Sequence, residues 1–184
     1  MKEFYILKSL SEAEEFIKIK GSVAKIKIPV MKSEIHHLDK KRIMFDISEE
    51  GGLEIPDLIY QEGVFLLSDR IKQRFDAVGI DYVFWKEADI HNEQFGIHET
   101  FWVIVPPRID CIDLDKSELN LQWNFEEGLL PMLESRKIVI QPELTGRFQV
   151  FKILGVMDNN IYVEEELYEA MNQYELKGIT FIKI

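Results

Sequence analysis

The chain has 184 residues, 46% of them apolar and 30% charged, a globular mixture that excludes disorder as the governing state. Lysine and arginine number 22 against 33 acids, a formal charge of -11 that repels polyanions and so argues against nucleic acid as a partner. The same charge suits a basic protein partner, and it equally serves solubility alone.

Cys111 is the only cysteine, which rules out an internal disulfide framework and fits a reducing compartment. The opening MKEFYILKSL carries charges where a signal peptide needs an apolar run, and no stretch reaches transmembrane length. A cytoplasmic protein without a membrane partner is expected. No segment is rich enough in Gly, Ser or Pro to be a domain linker, so residues 1–184 read as one domain.

In chain order, Phe4 to Lys8 reads as a first strand. Ser11 to Glu14 has capping-box spacing and predicts a short helix to about Lys20, closed at Gly21. Ser22 to Val30 alternates lysine and apolar residues. It predicts a strand with Ala24, Ile26 and Ile28 on one face, ended by Pro29. Lys32 to Lys41 is a polar stretch holding His36 and His37, and Arg42 to Ile47 predicts another strand. Gly51-Gly52 is the best loop signal, and a new segment starts at Ile55-Pro56-Asp57.

Val64 to Trp85 reads as strand, helix from Ser68-Asp69, stop at Gly79, then strand Ile80 to Trp85. The same order returns over Ile161 to Ile184. Placing Leu67 on Val163 sets Ile71 on Leu167 and Phe75 on Met171, as an internal strand-helix-strand repeat would. The general grammar of capped helices between strands gives the same pattern. Between the copies lie a polar stretch, Lys86 to Thr100, and an apolar strand, Phe101 to Val105, closed by Pro106-Pro107. Ile109 to Leu114 alternates, and Lys116 to Trp123 adds a strand. Glu126 to Arg136 reads as loop with one helical turn; Lys137 to Ile140 and Arg147 to Leu154 are strand-like. The fold class is α+β, a mostly antiparallel sheet with a few packed helices.

Catalytic motifs are missing: there is no G-x-S-x-G, P-loop, G-x-G-x-x-G or H-E-x-x-H. His91 and His98 lie near Glu93 and Glu99 without a metal-ligand spacing. Asp110, Asp113 and Asp115 surround Cys111, but the turn glycine of a calcium loop is absent. No cofactor is expected. Two classes of function stay open: an interaction protein with an acidic contact surface, and a small-molecule-binding or enzymatic domain in which Cys111, His91 and His98 converge on a pocket. A structural oligomer joined through a sheet edge is a third.

A set of short motifs in a fixed order resembles an immunity-protein domain of bacterial polymorphic toxin systems. They are Pro56-Asp57-Leu58, Leu66-Leu67-Ser68-Asp69, Phe101 to Val105 running into Ile109 to Ser117, Arg147-Phe148, Ile161-Tyr162-Val163 and Lys177 to Phe181. The resemblance covers Ile55 to Ile184, with Phe4 to Lys8 compatible. It implies a non-enzymatic protein that binds a cognate toxin, and the acidity of the chain suits a basic toxin surface. The predicted contact patch is Asp113, Asp115, Glu118, Trp123, Glu126 and Glu127.

Overall fold

Alternation over Phe4–Ser9 (β1) sends Leu7 into one core and Phe4 with Ile6 into another, so this strand has an apolar layer on each face. The computed structural model describes residues 2–21, 23–38, 43–93, 96–122, 132–156 and 158–184. After β1 come β2 (Ile17–Lys20), α1 (Ala24–Lys32), β3 (Ile43–Gly51), β4 (Leu58–Gln61), β5 (Val64–Ser68) and α2 (Asp69–Ala77). Next are β6 (Phe84–Asn92), β7 (Ile97–Val105), β8 (Arg108–Ile109), β9 (Glu118–Gln122) and β10 (Met132–Lys137). The chain closes with β11 (Val150–Ile153), β12 (Ile161–Glu164), α3 (Glu165–Asn172) and β13 (Ile179–Lys183).

The class is α+β, and most strand pairings are antiparallel. One sheet has the order β2-β3-β6-β7-β5-β4 and the other β13-β1-β12-β11-β8; among the described strands only β3–β6 and β8–β11 pair parallel. Helices α2 and α3 lie between the sheets. Their buried residues, Ile71 and Phe75 on one and Leu167 and Met171 on the other, share a core with Leu67, Ile104, Leu7 and Val163. Each of these side chains, fully buried, contributes roughly 1.5–3 kcal/mol. Helix α1 covers the far face of the larger sheet, and the segments around Cys111 and Ile140 cover the far face of the smaller one.

The two strand-helix-strand copies share a topology that their sequences only hinted at. In the first, β5 and β6 flank β7 and run antiparallel to it, so the crossover through α2 spans one strand. In the second, β12 and β13 flank β1 in the same way, with α3 as the crossover. Each copy is preceded by an antiparallel strand, β4 and β11 respectively. The middle strand differs in origin: β7 follows its own copy, whereas β1 comes from the opposite end of the chain.

Gly178 (φ +68) sits where the copies meet; a Cβ there would lie 2.7 Å from Pro56 Cβ. Gly52 packs against the Glu15 backbone, where a Cβ would lie 1.9 Å from the carbonyl oxygen. That close approach, beside the bond from Gly52 N–H to Phe16 O, explains a glycine pair read as a plain loop.

Four local expectations are corrected. Residues 11–20 hold β2 and no helix. Ser11 is buried, with its hydroxyl accepting from Ser9 and lying beside Tyr60 N–H, so it caps nothing. Residues 24–32 are helix α1: Val23, Ile26 and Val30 face the core at helical spacing, and Ile28 is 56% exposed. The alternating lysines fit both periods, and packing under the larger sheet selects the helix. The polar stretch 86–100 is mostly the β6–β7 hairpin, polar because the distal part of one face is left uncovered while Ala88 and Ile90 point into the core. Residues 132–136, expected as loop, belong to β10.

Candidate partner-binding surface

Asp113 opens a tight turn into β9. Its carboxylate accepts the Lys116 N–H (3.2 Å) and the Lys116 ammonium (2.7 Å), and its own N–H donates to Val139 O (2.8 Å). The bond from Lys116 holds its pKa below the ordinary carboxylate range. Ser117 pins the other side, its N–H donating to Asp113 O and its hydroxyl accepting from Val139 N–H. From this base rises an antiparallel ribbon, β9 with β10, that joins neither sheet. Leu119 roots it in the core beside Cys111.

The ribbon and its base carry Asp113, Asp115 and Glu118 of the acidic contact patch expected from sequence. Asp113 faces inward with its charge answered by Lys116, whereas Asp115 and Glu118 are exposed. Trp123, Glu126 and Glu127 lie outside the described residues. Over 110–137 the sequence has seven acids (Asp110, Asp113, Asp115, Glu118, Glu126, Glu127 and Glu134) against three bases. A groove of about 480 Å³ runs along the base, between Lys137–Glu143 and the ends of β1 and β13. Phe4, Ile138, Ile140 and Ile184 give it an apolar lining.

The residues of the pocket hypothesis do not come together. Cys111 is fully buried in the core under the smaller sheet, and burial, with the Asp110 charge second, pushes its thiol up to about 12. It packs as a small hydrophobe, with no activated thiolate. His91 and His98 are opposite one another on β6 and β7 of the other sheet, beside Asp46 (3.1 Å) and Asp89 (3.6 Å) respectively. His36 and His37 stack on each other in a short turn. Among the described residues no group of three or more His, Cys, Asp or Glu side chains could hold a metal ion, and no helix is long and apolar enough to cross a membrane.

Two polar clusters escaped the reading of single residues. Asp57, 4% exposed, accepts from Arg70 through both its oxygens, from Ser68 Oγ (2.8 Å) and from Lys177 N–H (2.8 Å). Arg70 also donates to Glu175 O, so this one carboxylate ties the start of α2 to the segment before β13. It forms one wall of a cavity of about 580 Å³ that His98 and Lys177 also line. Only the order of the short motifs pointed to Asp57. The second cluster is cationic. Lys152 of β11 lies opposite Arg108 of β8, is 1% exposed, and its ammonium has no hydrogen-bond partner among the described residues. Burial, with the Arg108 charge second, lowers its pKa to about 8. A buried lysine on a four-residue strand gives no sequence signal apart from apolar neighbours.

A family model described as "Immunity protein family (Imm11)" matches residues 8–184, nearly the whole chain. Among curated proteins none matches it.

Proposed function

The chain belongs to the Imm11 immunity protein family, and from that premise we propose that it binds a cognate toxin domain and neutralises it by occlusion, without chemistry of its own. The family match over residues 8–184 carries this reading. The burial of Cys111 and its separation from His91 and His98 support a binding role over an enzymatic one.

The contact surface proposed is the β9–β10 ribbon with its base turn, Asp113 as the pin and Asp115 and Glu118 as exposed charges, together with Trp123, Glu126 and Glu127 of the sequence expectation. Its excess of acid suits a basic toxin surface, where complementary charge speeds encounter and selects the partner. Tryptophan is enriched among the anchors of such interfaces.

The test is co-expression and pull-down with the C-terminal domain encoded beside this chain's gene, together with growth rescue. Binding with rescue is expected, and the double variant Asp115→Lys with Glu118→Lys is expected to weaken it. Wild-type binding without rescue would remove neutralisation from the proposal. Affinity unchanged by charge reversal would remove the ribbon surface.

A further inference from the structure

We propose that a cleft between the two end strands of the larger sheet receives an arginine side chain of the toxin; this deepens the reading above and rests on it for the partner. Strands β2 and β4 stand at opposite ends of that sheet, yet Ile17, Lys18 and Ile19 of one and Ile59, Tyr60 and Gln61 of the other line one cleft of about 360 Å³. The sheet therefore curls until its end strands face each other across a gap. Gln61 Nε2 reaches over it to donate to Gly21 O (2.8 Å), just after β2. Ser11, Glu12 and Glu50 complete the lining.

The cleft presents acceptors, and the cationic and amide donors in its lining are already used. Ser68 N–H donates to Asp57 O (2.9 Å), with Ile59 opposite Leu66 and Gln61 opposite Val64. In an antiparallel ladder this phase turns the odd-numbered residues of β4 toward β5 and the even-numbered ones outward. Leu58 O accepts from Ser9 Oγ (3.0 Å), which leaves the Tyr60 C=O as the outward acceptor. Gln61 Oε1 is buried and has no hydrogen-bond partner among the described residues. The Lys18 ammonium is taken by Ser11 O (2.6 Å) and Ala13 O (2.9 Å).

Charge at the cleft itself selects a cation. Residues 11–20, 48–54 and 59–62, which carry the lining and its flanks, hold seven acids against Lys18 and Lys20. Glu12, Glu14, Glu15, Glu49, Glu50 and Glu62 are exposed, and among the described residues none of them forms a salt bridge. Tyr60, 38% exposed, adds an aromatic ring that leans on Phe65 (centroids 4.9 Å). A guanidinium fits this set better than an ammonium. It spreads several donors over one plane, for acceptors that lie apart, and it stacks on aromatic faces. The chain makes the same contact within itself, with Arg74 3.5 Å from the centre of the Tyr174 ring.

Two titrations of the full chain test this. In the first, N-acetyl-arginine amide and N-acetyl-lysine amide are added separately and followed by NMR. The Gln61 side-chain amide and the Tyr60 ring signals are expected to shift saturably with arginine, and only at several-fold higher concentration with lysine. In the second, the toxin domain encoded by the adjacent gene is titrated against Glu12→Gln with Glu50→Gln, and against Glu143→Gln with Glu169→Gln. Both pairs remove the same charge from exposed positions, but only the first lies in the cleft. The cleft pair is expected to bind about tenfold more weakly than the control pair, the worth of one charge-assisted hydrogen bond. Equal affinities overturn the cleft as a toxin contact and leave the immunity reading standing. No saturable shift, or lysine as effective as arginine, overturns the guanidinium site. A chain that takes up arginine but binds no toxin overturns the immunity reading while the site stands; a chain that binds neither overturns both.

Discussion

Replacing Lys152 with methionine is expected to stabilise the protein at neutral pH, and the gain is expected to vanish in alkali. Methionine keeps the length and the apolar stem of a side chain that is 1% exposed while removing an ammonium with no hydrogen-bond partner among the described residues. In the folded chain this group titrates at about 8 against an ordinary 10.5. At about 1.4 kcal/mol for each pH unit, that gap amounts to roughly 3 kcal/mol. The sign follows from proton counts. Below pH 8 both states hold the proton, and the folded state bears the full penalty of a buried charge. Between 8 and 10.5 the unfolded chain holds more protons, so wild-type stability rises with pH relative to the variant. Arg108 and Asp158 are the charges that act on Lys152, the first lowering its pKa and the second raising it. The assay is urea unfolding of both proteins at pH 7, 9 and 10.5. A variant less stable than wild type at pH 7, or a gain unchanged across the series, would refute the reasoning and mean that Lys152 is solvated or paired.

Other expectations concern single contacts. Asp57→Ala removes the acceptor of the Ser68 hydroxyl and the Lys177 N–H and the carboxylate partner of Arg70, and is expected to cost about 1–3 kcal/mol in chemical denaturation. Ile26→Glu and Ile28→Glu separate helix from strand: the first is expected to unfold the chain or nearly so, the second to stay within about 0.5 kcal/mol of wild type, as judged by thermal melts. Phe75→Ala is expected to cost about 3–5 kcal/mol, and combining it with Met171→Ala to depart from additivity, because both side chains fill one core. Reversing Asp115 and Glu118 is expected to leave stability unchanged and to slow toxin association, with a weaker salt dependence in stopped-flow kinetics.

Much of the fold was legible wherever one signal stood alone. The apolar runs of β5, β7 and β12 are too short for helices, and Ile71–Phe75 and Leu167–Met171 recur at a spacing of four with polar Gln73 and Glu169 midway, which suits a helix face and not a strand face. The motif order likewise pointed to the family that the whole-chain match identifies. Where two periods coincide, residue pattern is silent. Lysine and isoleucine alternate over 24–28 in a way that suits strand and helix alike, and Pro29 was no guard, because it sits in the last turns of α1. Over 86–100 polarity hid a hairpin, since the distal part of that sheet face is left open to solvent.

By itself the sequence determined the α+β class, the two helices with their inward faces, and the surplus of acid, because each follows from local spacing or plain counting. Tertiary structure decided the rest. It brought β1 across from the other end of the chain to stand between β12 and β13, completing the second copy as β7 completes the first. It turned Asp113 inward onto Lys116 and left Asp115 and Glu118 outside. It set Asp57 against Arg70 and Lys177, and left one edge of β13 unpaired. Pairing between distant segments depends on which backbone edges and apolar faces remain unsatisfied after local structure has formed, and that is a property of the assembled sheets.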